Sequence, residues 1–173
     1  MPEFTTTRQI AAPVETVWAV LDDFGDIQRW NPGVTSSALT SEGPVTEGTT
    51  RHCDLKPFGG VNERILQHTP YERLTVNIYE TFSLPISNSI ADFNIAPFGD
   101  GTELTLHYSY TLNRLGRLQR GPPTSNYAGG SEAWPTVFNE RANASQSIRR
   151  ASPSTPTVGG PSRPDQPGTP VQA

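Results

Sequence analysis

The chain has 173 residues, enough for one domain with an appendage. Charge divides it: residues 1–116 carry 14 acidic and 7 basic side chains, and residues 117–173 carry 3 and 6, giving the net charge of −4. The acidic first part lacks the basic face that phosphate neutralisation needs, so nucleic acid is not an expected partner. A single cysteine, Cys53, excludes an internal disulfide and fits a reducing compartment. No basic segment followed by an apolar run opens the chain, so no signal peptide is expected. No stretch approaches the roughly 18 apolar residues of a membrane span. A cytoplasmic protein is the expectation.

Glu3 to Ile10 reads as a strand. Pro13 suits a first helical position, and Val14, Val17, Trp18 and Leu21 then form one apolar stripe. Gly25 is expected to stop that helix. A second short turn ends at Trp30, where Asn31-Pro32 forbids continuation. Strands come next at Val34–Thr40, Gly48–Leu55, Val61–Gln67, Leu74–Phe82, Asn88–Ile95 and Thr102–Leu112. The last is the clearest, with Leu104, Leu106, Tyr108 and Tyr110 alternating with Thr105, His107 and Ser109. Pro97-Phe98-Gly99-Asp100-Gly101, ending in Asp-Gly, marks a tight hairpin before it. Consecutive hairpins imply an antiparallel sheet of six to seven strands with one buried face, hence an α+β fold. Two short helices cannot cover that face, so a further covering element is expected after Leu112.

The composition changes there. Residues 121–173 hold 9 prolines and 6 glycines with few apolar side chains. Such a stretch cannot bury enough surface to offset chain entropy. The expected organisation is a domain over 1–118, an irregular segment over 119–150 with a short helix near 136–150, and a disordered tail over 151–173. Within the segment, Trp134, Val137, Phe138 and Ile148 roughly keep a helical face.

Several stretches together carry a resemblance. They are Ile10 to Trp18, Trp30-Asn31-Pro32, Gly48-Thr49-Thr50-Arg51, Asn62-Glu63-Arg64-Ile65 and Gly99-Asp100-Gly101-Thr102. In this order over residues 1–116, they resemble the SRPBCC, or START-like, helix-grip superfamily. That superfamily includes polyketide cyclase/dehydrase-like proteins, lipid-transfer domains and plant pollen allergens. The Gly48–Ile65 and Ser87–Ile95 segments are also similar to those of plant abscisic-acid receptors, which implies shared pocket architecture. The resemblance implies a curved seven-stranded sheet gripping a long C-terminal helix, with an apolar cavity between them. The chain departs from it where that helix should begin near Arg117, so the helix is read as degraded or replaced. Either a shifted reading frame or a substitute lid at Trp134–Arg150 accounts for the change.

Alternation then nominates the side chains facing the cavity: Arg51, Cys53 and Leu55, then Val61, Glu63 and Ile65, then Val76, Ile78 and Glu80. Ser89, Ala91, Phe93 and Ile95 come next, then Leu106, Tyr108 and Tyr110, with Trp30 at the mouth. A greasy wall with a few orienting polar groups suits an apolar ligand. Glu63 among Val61 and Ile65 is costly unless paired or solvated, and Arg51 on the neighbouring strand is its natural partner. Glu63 is then either half of a structural pair or an anchor for a ligand hydroxyl or carbonyl. If desolvated, it can act as a general acid or base, with Tyr108 and Tyr110 donating to a carbonyl. His52 and His107 fall on the outer face and His68 in a turn, so no metal site is expected, nor any other cofactor.

Three readings emerge: a monomeric module binding a small lipid, polyketide or isoprenoid-like molecule; a cyclase or dehydrase using Glu63 with Tyr108 and Tyr110; and a truncated or frame-shifted remnant with little activity. The want of a complete catalytic constellation favours the first.

Overall fold

The structure, a computed structural model, describes residues 2–114. The expected domain end near 118, the 119–150 segment and the 151–173 tail lie outside those residues. Strand β1 (Glu3–Ile10) leads to helix α1 (Val14–Asp22) and a 3-10 helix (Phe24–Arg29). Six further strands complete the sheet: β2 (Val34–Leu39), β3 (Thr50–Leu55), β4 (Gly60–Thr69), β5 (Arg73–Phe82), β6 (Ile86–Phe98) and β7 (Gly101–Leu112). They form one curved antiparallel sheet in the order β1-β7-β6-β5-β4-β3-β2. The first strand closes against the last, and β1 and β2 are the edges.

Helix α1 forms where its apolar residues repeat every three or four positions, and it buries Val17, Trp18, Val20 and Leu21. Pro13 stands one position earlier than expected, as the N-cap, with an extended ψ of 154°. Its carbonyl accepts the amides of Thr16 and Val17, closing the first turn. Gly25 does not stop the helix. Asp23 is the C-cap, and Gly25 lies within the 3-10 helix. There it permits close packing: its carbonyl accepts the Ser37 hydroxyl at 2.8 Å, and an added Cβ would sit 3.2 Å from Leu39 Cγ.

The strands were legible in the sequence, but the two register shifts between β4 and β5 were not. Between β4 and β5, Asn62 pairs with Glu80 and Glu63 with Ile78, so Tyr79 is an extra residue in β5. Further along, Ile65 pairs with Val76 and Gln67 with Thr75, so Leu66 is an extra residue in β4. Such bulges bend a strand and reverse the facing of the residues beyond them. Glu80, expected to face inward, is therefore exposed on the outer face, where it accepts the Asn62 side-chain amide at 2.6 Å. His68, expected in a turn, instead belongs to β4 and reaches the helix side. It contacts Asp22 Oδ1 at 2.7 Å, with its ring 5.1 Å from that of Trp18.

The β6–β7 hairpin turns on Gly99-Asp100, inside the expected 97–101 turn, with Gly99 at φ +55°. Gly101 is needed for another reason: a Cβ there would lie 2.3 Å from the Ile10 carbonyl oxygen. Beside it, buried Thr102 donates its hydroxyl to the Ala12 carbonyl at 2.6 Å, tying the start of α1 to the sheet.

Candidate functional site

The inner face of the sheet and the two helices line a narrow cavity of about 40 Å³, partly open to solvent. Its apolar wall comes from three sources. Alpha-helical Leu21 and 3-10 residues Phe24 and Ile27 form the roof, with Trp30 beyond them. Leu74, Val76 and Ile78 of β5, with Ala91 and Phe93 of β6, form the floor. Phe4 and Leu106 close the β1–β7 side.

Trp30 is placed by the chain around it. Its amide and that of Asn31 both donate to the Ile27 carbonyl, and the Asn31 side-chain oxygen accepts the Gly33 amide at 3.0 Å. This Asx turn stops the 3-10 helix and turns the Trp30 ring inward, edge-on to Phe93 with centroids 6.4 Å apart. Trp30 is only 6% exposed, so it is a wall of the cavity.

Among the described residues, four polar side chains reach the cavity: Asn31, Arg51, Glu63 and Tyr108. Arg51 and Glu63 face each other across the β3–β4 pairing and form a buried ion pair through Arg51 Nε and Glu63 Oε2. Arg51 Nη1 also donates to the Phe24 carbonyl at 2.5 Å, and the guanidinium lies 3.9 Å from the Phe24 ring centre. Desolvating two charges is costly, and these added partners offset part of it. The Cys53 thiol lies 3.6 Å from Glu63 Oε2. Burial first, then the charge of Glu63, pushes that thiol up to about 12, so it stays protonated and inert. Tyr108 donates its hydroxyl to Ser89 at 2.9 Å. Burial is the main cause that pushes its phenol up to about 12.

Of the residues expected to line the site, Trp30, Arg51, Glu63, Val76, Ile78, Ala91, Phe93, Leu106 and Tyr108 do so together. Cys53, Leu55, Ile65 and Ser89 also point inward but are sealed in the core and form no part of the cavity wall. Tyr110 lies beside Tyr108, its ring 6.1 Å away, outside the wall. Sequence reasoning missed Phe4, Leu21, Phe24, Ile27, Asn31 and Leu74. Leu74 shares the alternation of Val76 and Ile78, and Leu21 ends the helix stripe, so both carried a usable signal. Phe24 and Ile27 lie in a 3-10 turn without α-helical period, and Asn31 reads first as a chain breaker.

The family model described as polyketide cyclase / dehydrase and lipid transport matches residues 1–132. The chain belongs to this family. No curated protein matches it significantly. Among solved structures, the protein XoxI from Bacillus cereus is 17% identical with a TM-score of 0.66, over 84% of this chain and 99% of that one. A Thermus thermophilus protein is 19% identical with a TM-score of 0.67, over 83% and 99%. The chain of Ara h 8.0201 is 12% identical with a TM-score of 0.61, over 84% and 98%. At these identities the likeness is one of fold: the helix-grip sheet and its helices. Membership of the polyketide cyclase / dehydrase and lipid transport family agrees with a fold that encloses an apolar ligand.

Among the described residues, no helix is long and apolar enough to cross a membrane. Nor, among them, do three or more His, Cys, Asp or Glu side chains converge as metal ligands.

Proposed function

We propose that this protein binds a small apolar molecule, of lipid, polyketide or isoprenoid type, between its sheet and helices. The observation that carries this reading is the cavity wall. Ten of the eleven side chains named for its roof, floor and β1–β7 side are larger than alanine and apolar, whereas the four polar ones are few and defined. Burying an apolar ligand there removes its surface from water at about 25 cal/mol per Å².

Two measurements test the reading. Native mass spectrometry of the purified protein should reveal a co-purified small molecule, and the emptied protein should take up the neutral dye Nile red. Ala91→Leu, which extends a floor side chain into the cavity, should weaken dye binding about tenfold, equivalent to roughly 1.4 kcal/mol. A protein that purifies empty and takes up no dye refutes the reading.

Cyclisation or dehydration of a polyketide-like substrate is the second reading, favoured by the presence of Glu63 and Tyr108 in one cavity. Against it, the Glu63 carboxylate already holds the Arg51 guanidinium, and Tyr110 stands outside the wall. Glu63→Gln should abolish turnover of any substrate found; unchanged turnover removes Glu63 from the chemistry.

A further inference from the structure

The polar end of the cavity has a particular hydrogen-bonding character. The Arg51–Glu63 contact is one-point: Nε meets Oε2, and the second arm of the guanidinium does not complete the usual two-point fork. Arg51 Nη1 is committed to the Phe24 carbonyl, and Glu63 Oε2 also faces the Cys53 thiol. Among the described residues, Arg51 Nη2 and Glu63 Oε1 therefore have no hydrogen-bond partner. Neither is sealed away from accessible space, and both residues line the cavity. Asn31, also on the wall, uses its side-chain oxygen for Gly33. The polar end thus offers a donor and an acceptor side by side, on a pair whose charges cancel.

The geometry points to a neutral hydroxyl as the group this end of the cavity recognises: an apolar alcohol or phenol whose O–H donates to Glu63 Oε1 and whose oxygen accepts from Arg51 Nη2. This rests on the apolar-ligand reading above and narrows it. A carbonyl or ether only accepts, and would leave Glu63 Oε1 without a donor in a desolvated place. A carboxylate would bring a charge that the neutralised Arg51 no longer compensates, and would set it against Glu63. The acidic balance of residues 1–116 acts in the same direction. A site whose buried polar groups require a hydroxyl discriminates strongly against analogues that lack it.

Isothermal titration calorimetry at pH 7 with 2-naphthol, 2-methoxynaphthalene and 2-naphthoate tests this. The three share one apolar body and differ in the polar group. Naphthol should bind about tenfold or more tightly than the methyl ether, the scale of a hydrogen bond to a charged group, and naphthoate should bind weakest. In Glu63→Gln the charge of Arg51 is uncompensated, so the naphthol margin over naphthoate should vanish. A folded Glu63→Gln protein that keeps the wild-type order overturns the inference. If that variant does not fold, the wild-type ranking decides alone. Equal affinities, or naphthoate first, overturn the hydroxyl preference while Nile red uptake leaves the cavity reading standing. If neither Nile red nor any naphthalene binds, both readings fall.

Discussion

Replacing Arg51 with methionine isolates what the buried ion pair contributes. Arg51 is 4% and Glu63 3% exposed, so the change leaves a buried carboxylate whose remaining hydrogen-bond partner among the described residues is the Cys53 thiol, 3.6 Å away. Removing one partner of such a pair costs about 3–5 kcal/mol, because the remaining charge is desolvated without compensation. The contact with the Phe24 carbonyl and ring is lost as well. With a urea slope of about 2 kcal/mol per molar, the unfolding midpoint should fall by about 2 M. The double variant Arg51→Met/Glu63→Leu removes both charges at similar volume and should recover most of that loss. Urea titration followed by tryptophan fluorescence reads both. If Arg51→Met lies within about 1 kcal/mol of the wild type, or the double variant is no more stable than the single, the reasoning about uncompensated burial fails.

Other consequences are accessible to simple measurements. Tyr108→Phe leaves the Ser89 hydroxyl, which is fully buried, without its donor, and should cost about 1–3 kcal/mol in urea unfolding. Tyr108 and Cys53 both keep their protons up to about 12 in the folded chain. The unfolded chain releases them nearer 10 and 8.5, so the stability they contribute is complete below about pH 8.5 and is lost as pH rises toward 12. Thermal melts across that range should show a steady fall that Cys53→Ser lessens. Iodoacetamide at pH 8 should leave native Cys53 unmodified by mass spectrometry and label it fully in guanidinium. Gly101→Ala, whose Cβ would meet the Ile10 carbonyl, should destabilise by about 2–4 kcal/mol, in the range of overpacking and backbone displacement.

The strands were readable because side chains on a half-buried sheet must alternate, and β7 alternates through its whole length. The Arg51–Glu63 pairing was readable too, since a hairpin between β3 and β4 puts the two residues opposite each other. The features that escaped depended on counts that alternation does not register. One extra residue at Tyr79 moved Glu80 outward, and one at Leu66 brought His68 under α1. The roof residues Phe24 and Ile27 escaped because a 3-10 turn kinked at Asp26 repeats neither every 2 nor every 3.6 residues.

The bulge at Tyr79 also bears on how this cavity can change. Glu80 is two residues from Ile78, which forms part of the floor. Because Tyr79 is bulged out of the pairing, that second carboxylate falls on the solvent side, opposite Asn62. Loss of the Tyr79 codon would leave a regular ladder with Glu80 still outside beside inward Ile78, whereas straightening the bulge with all three residues kept would turn the acid toward the ligand without altering any residue of the wall. The compensating insertion at Leu66 restores pairing toward Thr69 and Arg73, so the polarity of the cavity depends on two insertions in step as well as on the side chains that line it.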